Sequence, residues 1–533
     1  MLFMKKIIVL FVILISSYIS LFAQTQSVNK PKLVVLITID GLKSEHLSIM
    51  YDRLCSGGFK HILNHGTYVQ NVEFNYVAKS SVSDVASICT ATTPANNGIV
   101  GNKIFSDLSN NFVSIVDDKE YHGIYSSVGR SPKNLVATTF ADNLRITSPQ
   151  SKVFSIALTA EKAIVMGGHN ANGVVWIDKE ANISSTDYYR WMPSWATAFN
   201  EAGIVKNSLR SPWQPMYSLY TYTNKPFYEL NGNFYVPAVV QKGGQDMVKN
   251  FIYTASANTI ICELAQKAIV QEKLGQDNAT DVLCLNFNVN TSFNNTAELN
   301  TAEKEDLYLS LDDDIKDLLQ LINEKIKISN TLVVIAGTQT EPFSQKTLRD
   351  NRLPVGKFDG KRAVALLNSY LMAKYGQARW VLNYADGNLF LNNAEIEKKN
   401  IDREKMGREI VNFISNIKGV TFSATYDDIR RANGDIKDPE VRLKNSLFRG
   451  RSGDIIVVLN AGWTDTDTNG NESYIASTSL QYTPLFFYGV NIENDNIDLR
   501  YAITDIAPTI CKILQIPYPN ASMGNAIKLK TKK

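Results

Sequence analysis

Runs of apolar residues that stop at polar tips recur along this chain, and they set its first-order organisation. KLVVLITIDGL is a continuous apolar run that ends at Asp40 and predicts a strand buried on both faces. DVLCLNFNV and LVVIAGTQTEP (residues 332–342) predict two more strands of this kind, and GDIIVVLNAG and TPLFFYGV repeat the pattern near the end. Between them lie stretches with helical spacing: SVSDVASICT, ANTIICELAQKAI, Tyr308 to Ile328, REKMGREIVNFISNI and TDIAPTICKILQI. Strands alternating with helices predict an α/β core around a mostly parallel sheet, whose chemistry belongs at the carboxyl ends of the strands.

Two segments break that rhythm. Residues 188–235 hold 13 aromatics in 48 positions, with prolines and little periodicity, which predicts an inserted cap. Residues 343–450 mix amphipathic helices with short strands such as ARWVLNYADGNLFLN, which predicts a second α+β insertion. The expected division is 1–23, 30–170 (core), 171–254 (cap), 255–342 (core), 343–450 (insertion) and 451–530 (core). The acidic stretch KEDLYLSLDDDIK is expected to be a solvated helix face.

Composition narrows the class. With 44% hydrophobic and 20% charged residues, the 533-residue chain is an ordinary globular protein. MLFMKKIIVLFVILISSYISLFAQ has two lysines, an apolar run and a small-residue boundary near Ala23, the pattern of a secretory signal. The expected location is therefore the periplasm or envelope of a Gram-negative bacterium, with no later membrane-spanning stretch. Without Lys5 and Lys6 the net charge falls from +3 to about +1, which offers nothing for nucleic acid. Cys55, Cys89, Cys262, Cys284 and Cys511 are scattered in apolar surroundings; they read as buried thiols, with a disulfide not decidable from spacing.

The early strand ending in Asp40, YVAKSSVSDVASICTATTPANNGIVGN, GGHN, RSGDI and TDIAPTICKILQIPYPNASMGNAI occur in an order that resembles the bacterial alkaline phosphatases related to nucleotide pyrophosphatase/phosphodiesterases. The resemblance covers nearly the whole chain after the leader. It implies a three-layer core with a central mostly parallel sheet and two inserted cap regions. It also implies phosphate-ester hydrolysis by two zinc ions and a Thr or Ser nucleophile. Carried over by position, the first metal-ligand Asp is Asp40, the nucleophile is Ser81, and the Asn that contacts a phosphate oxygen is Asn102.

The remaining positions depart from the family. The Asp and His expected after DVLCLNFNV fall on Thr291 and Asn295, and the adjacent Asp-His pair falls on Thr338 and Gln339. The last His falls near Ser473, and the phosphate-binding Lys and Arg fall near Thr159 and Glu161. All five histidines (His46, His61, His65, His122, His169) precede the second half, where the family's histidine ligands lie, so no shift of register supplies them. Zinc needs three or four ligands, and one carboxylate cannot hold it.

Each surviving residue has a plainer reading. Asp40 can be a loop Asp bonded to nearby N–H groups, and Ser81 can be the N-cap of its helix. A residual anion site is expected at that helix start with Lys79 and Asn102. His169, between tight-turn glycines, is expected to be structural. DTDTNGNESYIA matches the start of a calcium loop at Asp465, Asp467, Asn469 and Gly470, but the twelfth position is Ala476, so an ordinary polar loop is expected, with calcium as the alternative. The expected function is a pseudo-phosphatase without its zinc centre that binds an envelope protein or glycan, with Trp213 and Tyr220 of the aromatic cap as candidate contacts. The alternative is a divergent hydrolase that uses Asp40 and Ser81 with a different or single metal.

Overall fold

The computed structural model describes residues 30–106, 109–226, 232–234, 246–293, 296–297, 301–338, 345–469, 472–474 and 481–531. The leader at 1–23, Asn295, Gln339, Gly470 and Ala476 lie outside the described residues. Along the chain come β1 (Leu33–Asp40), β2 (Thr67–Glu73), α1 (Ser81–Thr90), α2 (Phe140–Thr147), β3 (Val153–Ala157), α3 (Ala160–Gly167), β4 (Gly173–Ile177) and β5 (Ile183–Thr186). Then follow α4 (Ala255–Gln271), β6 (Asp281–Asn288), α5 (Ala302–Lys325) and β7 (Thr331–Thr338). The second insertion holds α6 (Gly360–Tyr375), β8 (Val381–Ala385), β9 (Asn388–Leu391), α7 (Arg403–Ser415), β10 (Val420–Thr425), β11 (Ile455–Leu459) and β12 (Trp463–Thr466); β13 (Tyr482–Gly489) and α8 (Ile506–Leu514) close the core.

The main sheet runs β2-β13-β7-β1-β6-β3-β4-β5, parallel from β7 to β4, with β13 and β5 antiparallel to their neighbours. Every residue of β1 is buried, Thr38 and Asp40 included, as befits a central strand covered on both faces. Strand pleating sends Leu33, Val35, Ile37 and Ile39 into the layer shared with α4 and α5. Val34 and Leu36 enter the opposite layer, with α1, α3 and α8. The result is a three-layer α/β core. In register, Asp40 of β1 lies beside Asn288 of β6 and Thr338 of β7, so three carboxyl ends meet at one edge.

Three expectations change. GDIIVVLNAG does not return to the main sheet: β11 pairs with β9 and β10 in a second sheet, β8-β9-β11-β10, covered by α6 and α7. An apolar run shows that a strand is buried but not in which sheet. β4 and β5, inside the segment expected as cap, belong to the main sheet.

The acidic stretch on α5 is not a solvated face either. Glu305, Asp306 and Asp312 are buried. They accept hydrogen bonds from donors on distant segments. Asp312 takes the Cys55 and Phe59 amides at 2.6 and 2.5 Å, and Glu305 takes the Thr223 and Asn224 amides at 3.0 and 2.7 Å. Buried carboxylates persist where such donors meet them.

The aromatic cap is anchored on the same helix. Trp213 Nε1 donates to Asp306 Oδ2 at 2.7 Å, the Met216 amide to Oδ1 at 2.8 Å, and the Tyr222 hydroxyl also donates to Oδ1. Trp195, Trp213 and Tyr222 are core residues, whereas Trp191 and Tyr217 are exposed and Tyr220 is 99% exposed. All five cysteines are free thiols, and all but half-buried Cys55 are buried.

Candidate functional site

Asp40 ends β1 at the edge where β1, β6 and β7 finish, and it is nearly buried. Its partners are side chains, not the loop N–H groups expected from sequence. Lys162, from the first turn of α3, sets its ammonium on Asp40 Oδ2. Thr338 Oγ1 donates to Asp40 Oδ1 at 2.7 Å, and Asn286 Nδ2 reaches the same oxygen at 3.3 Å. Asn286 also ties to the Thr38 hydroxyl at 3.2 Å. Lys162 and Asp40 side chains are 9% and 7% exposed, so each neutralises the other away from solvent.

This donor set does not fit a pair of zinc ions. Zinc is held by carboxylate, imidazole or thiolate. Here the neighbours of the one carboxylate are an ammonium, a hydroxyl and an amide, and each points a hydrogen at it. Among the described residues, no three His, Cys, Asp or Glu side chains come together as a metal cluster. Thr291, at a family ligand position, is buried just past β6, and Ser473 lies in a short strand paired with β12.

The histidines have other partners. His46 meets the Tyr308 hydroxyl at 3.3 Å, and burial, with Lys304 and Lys43 nearby, pushes it down to about 4. His61 bonds the Tyr488 hydroxyl, His65 its own helix, and His122 bonds Asp187. His169 places Nδ1 2.9 Å from Asp142 Oδ2 and Nε2 2.9 Å from the Leu135 carbonyl oxygen. Both nitrogens thus face acceptors, an arrangement that only the doubly protonated ring satisfies. Gly168 before it has φ +64, and a Cβ there would lie 2.7 Å from Asp142 and Thr139 oxygens. The structural role expected from GGHN follows from that turn.

Ser81, Asn102 and Lys79 come together in one cleft of about 440 Å³ between the core and the second insertion. Lys103, Asp386 and Arg451 line it as well, but Asp40 is not among its described lining residues. The N-cap of α1 is Ser80, not Ser81: Ser80 Oγ accepts from the Val82 amide at 3.3 Å and also bonds Asn102 Oδ1. Ser81 is the first helical residue, half-buried, with no side-chain hydrogen bond among the described residues. Lys79 Nζ reaches the Asp386 carbonyl oxygen at 3.4 Å. Burial lowers the Lys79 ammonium below the usual lysine value, against the opposing pull of Asp386 and Asp465. Arg451 donates to the carbonyls of Gly98 and Asn134 at 2.6 and 2.5 Å, with no carboxylate partner among the described residues. Thr159 and Glu161, where the family's phosphate-binding Lys and Arg fall, lie at the start of α3; Glu161 bonds Ser114.

The calcium alternative loses its first ligand position to the sheet. Asp465 is a fully buried residue of β12, in register with Phe358 and Ser473, and the Gly387 amide donates to it at 3.3 Å. Burial pushes its carboxyl up to about 7 against the opposing pull of Tyr384. Asp467 Oδ1 accepts from the Asn469 amide at 2.8 Å, the local turn bond expected of an Asx residue.

Comparison with known proteins agrees with the fold. The family model for type I phosphodiesterase / nucleotide pyrophosphatase matches residues 34–481, and the chain belongs to that family. It is 30% identical to alkaline phosphatase PhoV of Synechococcus elongatus over 520 residues, 94% of this chain and 93% of that protein. It is 26% identical over 527 residues to alkaline phosphatase PafA of Elizabethkingia meningoseptica, 95% of each chain. The crystal structure of wild-type PafA shares the fold, with a TM-score of 0.82 at 24% identity, covering 93% of this chain and 98% of that one.

Sequence reasoning missed Lys162. A signal was available: it is the one cation on the helix AEKAIVMG, whose only other charge is Glu161, and that helix follows the strand that neighbours β6.

Proposed function

We propose that this chain is a non-hydrolytic member of the family, exported to the envelope of a Gram-negative bacterium, where it binds an anionic partner in the Ser81 cleft. The observation that carries the reading is the Asp40–Lys162 pair. The carboxylate that heads the metal site in the resemblance is here matched by an ammonium from its own chain. Ser81 sits where a nucleophile would, but a serine hydroxyl needs a base or a metal to become one. Lys79 directs its amine to the Asp386 carbonyl instead. What persists is positive charge: Lys79, Lys103 and Arg451 around the start of α1, where free N–H groups and the helix dipole favour an anion. The N-terminal leader pattern supports export.

PhoV and PafA are named as alkaline phosphatases, so hydrolysis is the reading to test against. Purified protein is assayed with aryl phosphate mono- and diesters in buffer containing added zinc. The expected result is no release above the buffer rate and no change in Ser81→Ala. Zinc-dependent turnover that disappears in Ser81→Ala would sink the proposal.

A further inference from the structure

The anion cleft does not end at Phe390. A second lobe of about 210 Å³ adjoins it, shares Phe390 and Ser452, and is lined by Arg403, Tyr426, Asp427, Arg449 and Asp454. The two lobes differ in charge. The first sets Lys79, Lys103 and Arg451 against one carboxylate, Asp386; the second balances two arginines with two aspartates. We infer that this groove takes a phosphorylated sugar, with the phosphate beside Lys79 and Ser81 and the sugar ring in the lobe of Asp427 and Arg449. The inference rests on the anion-binding reading above and names the class of ligand.

Chemistry in the second lobe selects against the alternatives. A second phosphate would face Asp427 and Asp454 as well as the arginines. Phe390 offers a flat aromatic ring little open face, being already stacked on Phe105 at 4.6 Å, met edge-on by Phe112 and only 9% exposed, which leaves half-buried Tyr426 as the one ring to stack on. An aliphatic group would take water from Asp427 and Arg449 and return no hydrogen bond. Neutral hydroxyls suit the lobe, because each both donates and accepts.

The lobe is also partly preorganised. Asp454 accepts from the Leu391 amide at 2.8 Å, Asn393 Nδ2 at 3.2 Å and Arg403 at 2.6 Å, which fixes its floor. Asp427 and Arg449 make no side-chain hydrogen bond among the described residues, and so keep an acceptor and a fork of donors for vicinal hydroxyls. A volume of about 210 Å³ equals roughly seven waters of liquid, room for one sugar ring.

The test is phosphorus-NMR titration of the full protein with inorganic phosphate, glucose 6-phosphate and a phosphorylated oligosaccharide. The last two separate a free sugar phosphate from the end of a glycan. At least one of them should bind about tenfold more tightly than inorganic phosphate. Arg449→Ala and Asp427→Ala, both at exposed positions, should remove that advantage and leave phosphate binding unchanged, while Lys79→Ala should weaken both ligands. Phosphate binding with no gain from the sugar overturns this inference and leaves the anion reading standing. A gain that survives both variants overturns it too. No binding of any of the three sinks both readings. A growing inorganic phosphate signal refutes the non-hydrolytic reading alone, because selectivity is still read from the affinities.

Discussion

Changing Lys162 to Met keeps most of the side chain's packing and deletes its charge. It leaves Asp40 as a carboxylate with about a tenth or less of its surface in solvent. Removing one member of a buried ion pair typically costs about 3–5 kcal/mol, because the remaining charge stays desolvated. Here Asp40 retains the Thr338 bond at 2.7 Å and the Asn286 bond at 3.3 Å, so the lower end, about 3 kcal/mol, is expected. Asp40→Asn combined with Lys162→Met removes both charges, and such replacements are often close to neutral. The double variant should therefore return to within about 1 kcal/mol of the parent. Urea unfolding measures this, read through hydrogen exchange of the β1 amides so that the main sheet is the unit reported. A single-variant loss below about 1 kcal/mol, or a double variant as unstable as the single, would refute the reasoning that this pair is buried and mutually dependent.

Trp213→Ala should cost about 3–5 kcal/mol, as a buried ring bonded to Asp306 is lost. Tyr220→Ala should stay within about 0.5 kcal/mol, which thermal unfolding of the two variants will separate. For His169, burial opposes the charged ring, but the Asp142 bond and charge and the Leu135 carbonyl outweigh it, so its value is raised. Its stabilisation is fully present below the unfolded value of about 6.5 and is lost as pH rises through the folded one. His169→Asn should remove that pH-dependent part; identical melting-temperature profiles for parent and variant across this range would contradict the assignment. A zinc-selective chelator should leave the parent's melting temperature unchanged, since binding that stabilises only the folded state is not expected.

Much of the core was legible because an apolar run with a polar stop is a strong local signal. β1 ends at Asp40, and β7 turns polar at Thr338, as their sequences require. The candidate cleft was legible in part: the resemblance named Ser81 and Asn102, and the charge at Lys79 joined them. What stayed hidden depends on pairing across long separations. Lys162 and Asp40 are 122 positions apart, and nothing local tells a solvated lysine from one that neutralises a strand end. The acidic face of α5 was misread for the same reason, since Asp306 and Asp312 are buried by donors on the cap and on the loop at Cys55. Ser80 and Ser81 are both good caps, and only the backbone decides which one closes α1.

The central claim is that Asp40 holds an ammonium where the family resemblance implies zinc. Native mass spectrometry of the parent after incubation with excess zinc and desalting tests it most directly. The account predicts the mass of the bare chain, with no stoichiometric zinc. A stable species carrying about two zinc ions per chain, diminished in Asp40→Asn, would contradict it.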